Sequence, residues 1–316
     1  MNATTWATQI LEVLAALAVA PLFFGWVNMC RAWLQNRRAP SLLLPYHGLR
    51  KLFNKDAVIA ETASPLFRAA PYIVFGSMVA AAAIIPSMGT RLPFTSAADA
   101  IALVGLLAVA RVFLSLAAMD TGTAFGTMGA RREMMVGFLA EPALLMIIFV
   151  ASLISATTAL PLIAERLATQ VIGLYPSLAF TAVAFTMVLL AENARIPVDN
   201  PATHLELTMI HEAMLLEYSA RHLALMEWAA ALKLFNYACI GFALFVPWGA
   251  ATGEADPPAL LMSIPVLAGK LAVAGAWLAV IETISAKLRV FRAPEFLATA
   301  FLLAVLGLLV HLLLGA

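Results

Sequence analysis

Eight long apolar stretches alternate with short polar segments along this chain. They lie near Ala7–Met29, Ala69–Met88, Ile101–Met119, Met134–Ala159, Leu174–Ala191, Leu223–Trp248, Leu260–Ile281 and Phe296–Leu314. A bilayer's hydrocarbon core is about 30 Å thick and takes roughly 20 apolar residues of helix to cross. The pattern therefore predicts an all-α, polytopic transmembrane bundle of eight helices. The segments left over are too short for a separate soluble domain, so residues 1–316 read as one integral membrane domain.

Composition agrees. Hydrophobic residues make up 63% of the chain and charged ones 12%, with a mean hydropathy of +0.94, far from the soluble range. The basic residues then set the expected orientation, because cytoplasmic loops carry the Lys/Arg excess. With the N-terminus outside, the loops on the inner side hold fourteen, Arg31, Arg37, Arg38, Arg50, Lys51, Lys55 and Arg68 among them, and the opposite side holds two, Arg91 and Arg166. Both termini are expected on the non-cytoplasmic face, with a basic loop at 31–68 inside. The first apolar run has basic residues after it and none before it, the mark of a retained anchor and not a cleaved signal. A net charge of +1 gives no reason to expect nucleic acid.

Catalytic signatures do not emerge. Cys30 and Cys239 are far apart with no CxxC or Cys/His spacing, so they read as small buried side chains. No Gly-rich phosphate loop or GxSxG elbow is present, and His211-Glu212 opens like a zincin motif only to meet Leu215 where the second histidine belongs. No catalytic residue, metal or cofactor is expected in this chain.

What stands out is charge within and beside the apolar helices. Residues 193–222 form an acidic, histidine-containing loop; from Glu192 to Glu227 the chain carries six carboxylates (Glu192, Asp199, Glu206, Glu212, Glu217, Glu227) and three of its five histidines. Arg111, Lys233 and Lys270 fall inside helices three, six and seven, and Glu12, Asp120, Glu141 and Glu282 are further carboxylates in helices or at their ends. Ionisable groups at membrane depth are expensive and mark ion paths by default. Most of these carboxylates fall in the inner half, Arg111 and Lys270 near the middle, Lys233 a little inward and Glu12 in the outer half, which suggests an acidic inlet leading to basic groups. Duller roles stand beside this: Glu227 and Glu282 fit an interfacial position, Glu12 helix pairing, and Arg111 a structural pair with Asp120. Glu141 followed by Pro142, where the helix lacks a backbone donor, and the deep Lys270 are the strongest functional candidates.

Within the loop, Pro197 and Pro201 break the preceding helix and Asp199-Asn200-Pro201 is a turn. From Thr203 the pattern turns helical, placing His204 and His211 on one face and Glu206 and Glu217 on another if the helix is continuous. A short amphipathic helix at the mouth of the bundle is expected.

These residues carry a resemblance. Glu192-Asn193-Ala194-Arg195-Ile196-Pro197-Val198-Asp199 is similar to the ET-x-R-x-P-F-D motif of respiratory complex I subunit 1, and Glu217-Tyr218-Ser219 to its TEYS. Weaker matches are Arg38-Ala39-Pro40, Leu49-Arg50-Lys51-Leu52, Arg132-Glu133 and Glu141-Pro142. The chain resembles that family over nearly its whole length, most nearly its branch in formate hydrogenlyase (subunit 4) and the group 4 nickel–iron hydrogenases. Ala202 and His204 replace acidic residues of the complex I loop, and residues are added around His211-Glu212; both departures lie beside the quinone entrance of complex I and favour the hydrogenase-type branch.

The resemblance implies a membrane anchor without a cofactor of its own. Its partners would be an iron–sulfur small subunit and a hydrogenase-like large subunit on the cytoplasmic side, holding iron–sulfur clusters and a nickel–iron site, and antiporter-like subunits in the membrane. The expected location is the cytoplasmic membrane of a prokaryote. The expected coupling path is Glu141, Glu192, Asp199, Glu206, Glu212, Glu217, Glu227, Lys233, Lys270 and Glu282. Arg37, Arg38, Arg50, Lys51, Arg195, His204 and His211 are expected in the loop and docking surface. A complex I subunit with a quinone cavity is the alternative; a stand-alone transporter is less favoured because no internal repeat is visible, and an embedded enzyme least of all.

Overall fold

The structure, a computed structural model, describes residues 3–90, 93–169, 176–199, 209–251, 257–288 and 292–314. The long helices are α1 (Ala3–Leu34), α3 (Pro65–Ile84), α4 (Ala100–Asp120), α5 (Ala124–Ser155), α7 (Pro176–Glu192), α9 (Ala220–Phe245), α10 (Pro257–Ile284) and α11 (Ala293–Leu314). The short ones are α2 (Leu44–Phe53), α6 (Leu160–Thr169) and α8 (His211–Leu215). Among the described residues seven helices are long and apolar enough to cross a membrane; the expected fifth crossing is the shorter α7, of 17 residues. Among the described residues there is no strand, only the isolated bridges Gly89–Ala251 and Asp99–Ala159.

Local chemistry sets the helix ends. Ser64 caps α3, its hydroxyl accepting from the Leu66 N–H at 3.1 Å with Pro65 following, and Thr123 caps α5 the same way through Gly126. That cap starts α5 well before the expected Met134. Arg131 and Arg132 therefore lie inside a 32-residue helix and not in a loop. A short charged run does not stop a helix once its N-terminus is capped, since Arg and Glu are themselves good helix formers. At the far end Ala156 turns left-handed with φ 48°, and Ala194 with φ 50° does the same just past α7.

Small residues make the interior. Ala20, Ala70, Ala81, Ala117, Ala140 and Ala143 are completely buried, which lets backbones approach closely where lipid supplies no hydrophobic drive between helices. Side-chain donors add directional ties: Trp228 to the Leu17 carbonyl (3.1 Å), Trp26 to Ala272 (2.9 Å) and Asn236 to Met78 (3.0 Å) join α1, α3, α9 and α10. α4 lies between α3 and α5, α7 between α5 and α11, and α9 against α1 and α3.

The amphipathic α2 leans on α1 and α9. Leu49 is buried while Arg50 and Lys51 are exposed, as are Arg37 and Arg38 ahead of it. α1 tolerates this approach because of Gly25, where a Cβ would sit 2.4 Å from the Leu42 carbonyl oxygen. Of the amphipathic helix expected from Thr203, the described residues include only the five of α8. Met209 and Ile210 are not helical, so no continuous helix reaches Glu217, and His204 and Glu206 lie outside the described residues.

Candidate functional site: a buried charge cluster beneath a cavity

Arg111 of α4 is the hub. Its side chain is 5% exposed, and its two terminal nitrogens donate to Glu141 of α5 and Glu192 of α7; Glu133 of α5 lies 3.5 Å from its Nε. Glu192, 1% exposed, also receives the Lys233 ammonium of α9 at 2.9 Å. Room for the guanidinium comes from Gly137, since a Cβ there would stand 2.4 Å from an Arg111 nitrogen. Arg111 does not pair with Asp120, the partner expected from sequence; Asp120 instead accepts from the Ser64 N–H at 2.8 Å. A carboxylate nine residues along the same helix is reached less easily than carboxylates on two facing helices.

Charge balance decides what such a cluster can do. Three carboxylates (Glu133, Glu141, Glu192) face two cations (Arg111, Lys233), leaving one negative charge in excess. Away from water an uncompensated charge is costly, and the inexpensive remedy is to bind a proton. Glu141 is the least enclosed of the three, at 33% side-chain exposure.

A second set of ion pairs fixes the turn after α7. Glu282 of α10, fully buried, holds Arg195 at 3.0 Å and Arg31 of α1 at 3.4 Å. The Arg195 guanidinium also stands 5.0 Å from the centre of the Phe24 ring. Burial weighs against the Arg195 charge and lowers its proton affinity, while Glu282 sustains it. Asp199, buried, accepts from the N–H groups of His211 (3.1 Å) and Ile210 (3.3 Å), which sets the start of α8. Glu282 is thus enclosed by the bundle and paired, whatever its depth.

Above these residues opens a cavity of about 420 Å³. Its lining combines apolar side chains such as Pro21, Phe24, Leu44 and Leu49 with the charged Arg31, Glu192, Arg195, Asp199, Glu212, Glu227, Lys233 and Glu282. His211 is half-buried at its edge, and burial pushes its imidazole below the ordinary value; Glu133, Asp199 and Glu212 oppose that and Lys233 adds to it. Tyr218 stacks on Phe67 with centroids 4.1 Å apart and donates to the Phe67 carbonyl at 3.1 Å. Ser219 bonds both the N–H and the carbonyl of Val58. Glu217-Tyr218-Ser219 thus pins the loop to α3 and the segment before it.

Most of the expected coupling residues meet here: Glu141, Glu192, Lys233, Asp199, Glu212, Glu227 and Glu282. Lys270 does not. Its ammonium donates to the Val246 carbonyl at 2.6 Å, at the C-terminal end of α9. The same end of the bundle holds Glu12, whose Oε1 accepts from Met88 (2.8 Å) and Gly89 (2.7 Å). Arg111 and Glu133 were not among the expected coupling residues. The usable signal for Arg111 was its depth in an apolar helix; for Glu133 it was the Gly129–Gly137 spacing around it, which lets another element press against α5. Among the described residues no three of His, Cys, Asp and Glu are gathered to hold a metal ion.

Apolar spanning helices around paired internal charge define a multi-pass helical membrane protein. The sequence matches the NADH dehydrogenase family over residues 8–313, and the chain belongs to that family. It is 31% identical to formate hydrogenlyase subunit 4 of Escherichia coli (strain K12), over 92% of this chain and 94% of that one. It is 34% identical to hydrogenase-4 component C of the same organism, over 81% and 79%. In fold it is similar to a chain of the membrane-bound sulfane sulfur reductase, an archaeal respiratory membrane complex, with a TM-score of 0.82 at 20% identity over 96% of this chain and 98% of that one.

Proposed function

We propose that this chain is the membrane anchor and coupling subunit of an energy-converting oxidoreductase complex, of the formate hydrogenlyase or group 4 hydrogenase type. It carries no redox group of its own; iron–sulfur clusters and a nickel–iron site belong to its cytoplasmic partners. The observation that carries the reading is the Arg111–Glu133–Glu141–Glu192–Lys233 cluster lying directly under the cavity, where a charge change above alters proton binding below. Similarity to formate hydrogenlyase subunit 4 and hydrogenase-4 component C over most of each chain supports it.

In this reading the chain crosses the cytoplasmic membrane of a prokaryote eight times with both termini outside. α7 is the fifth crossing and completes the count of eight: about 26 Å of helix at 1.5 Å per residue, slightly short of the hydrocarbon thickness and accommodated by local thinning. The exposed Arg37, Arg38, Arg50 and Lys51 dock the iron–sulfur and large subunits. Glu141, one-third exposed on an apolar helix, needs a polar neighbour from a second, antiporter-like membrane subunit. The test is what remains bound in mild detergent. Iron–sulfur and hydrogenase-like subunits should copurify with a tagged chain, and its purification alone would contradict the reading.

A second reading has its own observation. The cavity's lining of apolar and charged side chains together suits a quinone headgroup with its tail along α1 and α2. Quinone reduction by the purified complex would select it.

A further inference from the structure

The large cavity is not the only space beside the cluster. A small cavity of about 30 Å³ lies among α3, α4, α5, α8 and α9, bounded by Arg111, Glu133, His211 and Lys233 together with apolar side chains such as Met78 and Ala229. The Arg111 Nε, buried in a side chain only 5% exposed, has no hydrogen-bond partner there; Glu133 at 3.5 Å is too far to satisfy it well. A buried donor left bare costs free energy. The lining is mostly apolar, but Arg111, Glu133, His211 and Lys233 supply the two to four polar partners a buried water needs, and the space admits about two waters.

The two cavities share a wall. His211, Leu215, Ala230 and Lys233 line both. Leu215 and Ala230 carry no proton. Lys233 is committed to Glu192 at 2.9 Å. His211 alone of the four is an uncommitted titratable group, on a short helix placed by Asp199 and pressed onto α5 at Gly129, where an added Cβ would be 2.9 Å from the Ile210 carbonyl oxygen.

We propose that the small cavity is a water chamber and that His211 is the proton relay between it and the large cavity. The imidazole accepts a proton at one ring nitrogen from the large-cavity side and releases one from the other nitrogen to water held by Arg111 Nε and Glu133. That water then serves the excess charge shared by Glu133, Glu141 and Glu192. Four charged groups bear on the ring: Glu133 from α5, Lys233 from α9, Asp199 from the turn after α7, and Glu212 beside it. Held neutral at ordinary pH, the ring keeps one donor and one acceptor, as a relay requires. This inference rests on the proposed coupling role and adds the route by which protons reach the cluster.

The test uses the whole membrane complex in proteoliposomes, reading dye-linked redox turnover and proton movement on the same preparation. His211→Gln keeps a hydrogen-bonding side chain but cannot relay. Redox turnover should persist, proton movement should fall at least tenfold, and millimolar imidazole should restore part of it. Ala229→Val, which fills the chamber while keeping His211, should lose proton movement without imidazole rescue. Wild-type proton movement in His211→Gln overturns the relay, and so does a loss that imidazole does not restore or a loss of assembly. Glu192→Gln is the control. If it stops proton movement and His211→Gln does not, the relay alone is wrong; if both variants move protons normally, the coupling reading has failed as well.

Discussion

Around Glu282 two ion pairs differ in what they contribute, and burial explains why. Arg195 is enclosed, so removing its partner leaves an uncompensated buried cation; Arg31, 31% exposed, can turn to water. Glu282→Leu should destabilise the protein by about 3–5 kcal/mol, and Arg31→Ala by less than about 1 kcal/mol, both measured by thermal unfolding in detergent. Equal effects would contradict the assignment. Gly137→Ala should cost about 1–3 kcal/mol, because the new methyl meets the Arg111 guanidinium in a packed site. At this scale the sequence was informative about which charged groups lie inside the bundle and poor on their partners. Glu141, Glu192 and Lys233 were legible because charge in an apolar run is rare. That Arg111 joins them, and not Asp120, depends on how α4, α5 and α7 are placed, which hydropathy does not encode. Lys270 stands apart from them for the same reason: its place in an apolar helix was visible, but not that it reaches the Val246 carbonyl.

The elements themselves were legible wherever twenty apolar residues run together, and their ends were not. The start of α5 depends on the Thr123 cap, a three-residue signal outweighed in the sequence by the charges that follow it. α8 shows the opposite error. A helical pattern from Thr203 suggested one helix running on toward Glu217, but Met209 and Ile210 are not helical and Asp199 caps the chain at Ile210 and His211. Its docking should depend on pH through His211. Burial holds the folded pKa below the ordinary 6.5, so below about pH 6.5 the undocked loop binds a proton that the docked loop refuses. Stability from this group is constant above that value and falls as the pH drops beneath it. Hydrogen-exchange protection of the amides of residues 209–216 should decline from pH 7.5 to 5.5, and His211→Gln should abolish the decline. Protection independent of pH in the unaltered protein would contradict the burial argument.

As a whole molecule, the protein sets an exposed basic rim of Arg37, Arg38, Arg50 and Lys51 beside a cavity, with a buried cluster carrying one surplus negative charge beneath it. Charge reversal at Arg37, Arg38 and Arg50 together should release the peripheral subunits while leaving the bundle inserted, seen as loss of copurifying partners; retention would mean that the rim meets lipid headgroups. A cysteine label at Asp56 should react from the cytoplasm only and one at Trp248 from outside only, and the reverse would invert the proposed topology. The central claim is that the cluster couples redox chemistry to proton movement. Glu141→Gln and Glu192→Gln preserve shape and hydrogen bonding but not proton exchange, so the decisive measurement is dye-linked turnover and proton movement on one reconstituted preparation of each. Turnover largely retained with proton movement sharply reduced is the predicted result; normal proton movement in both variants would contradict it.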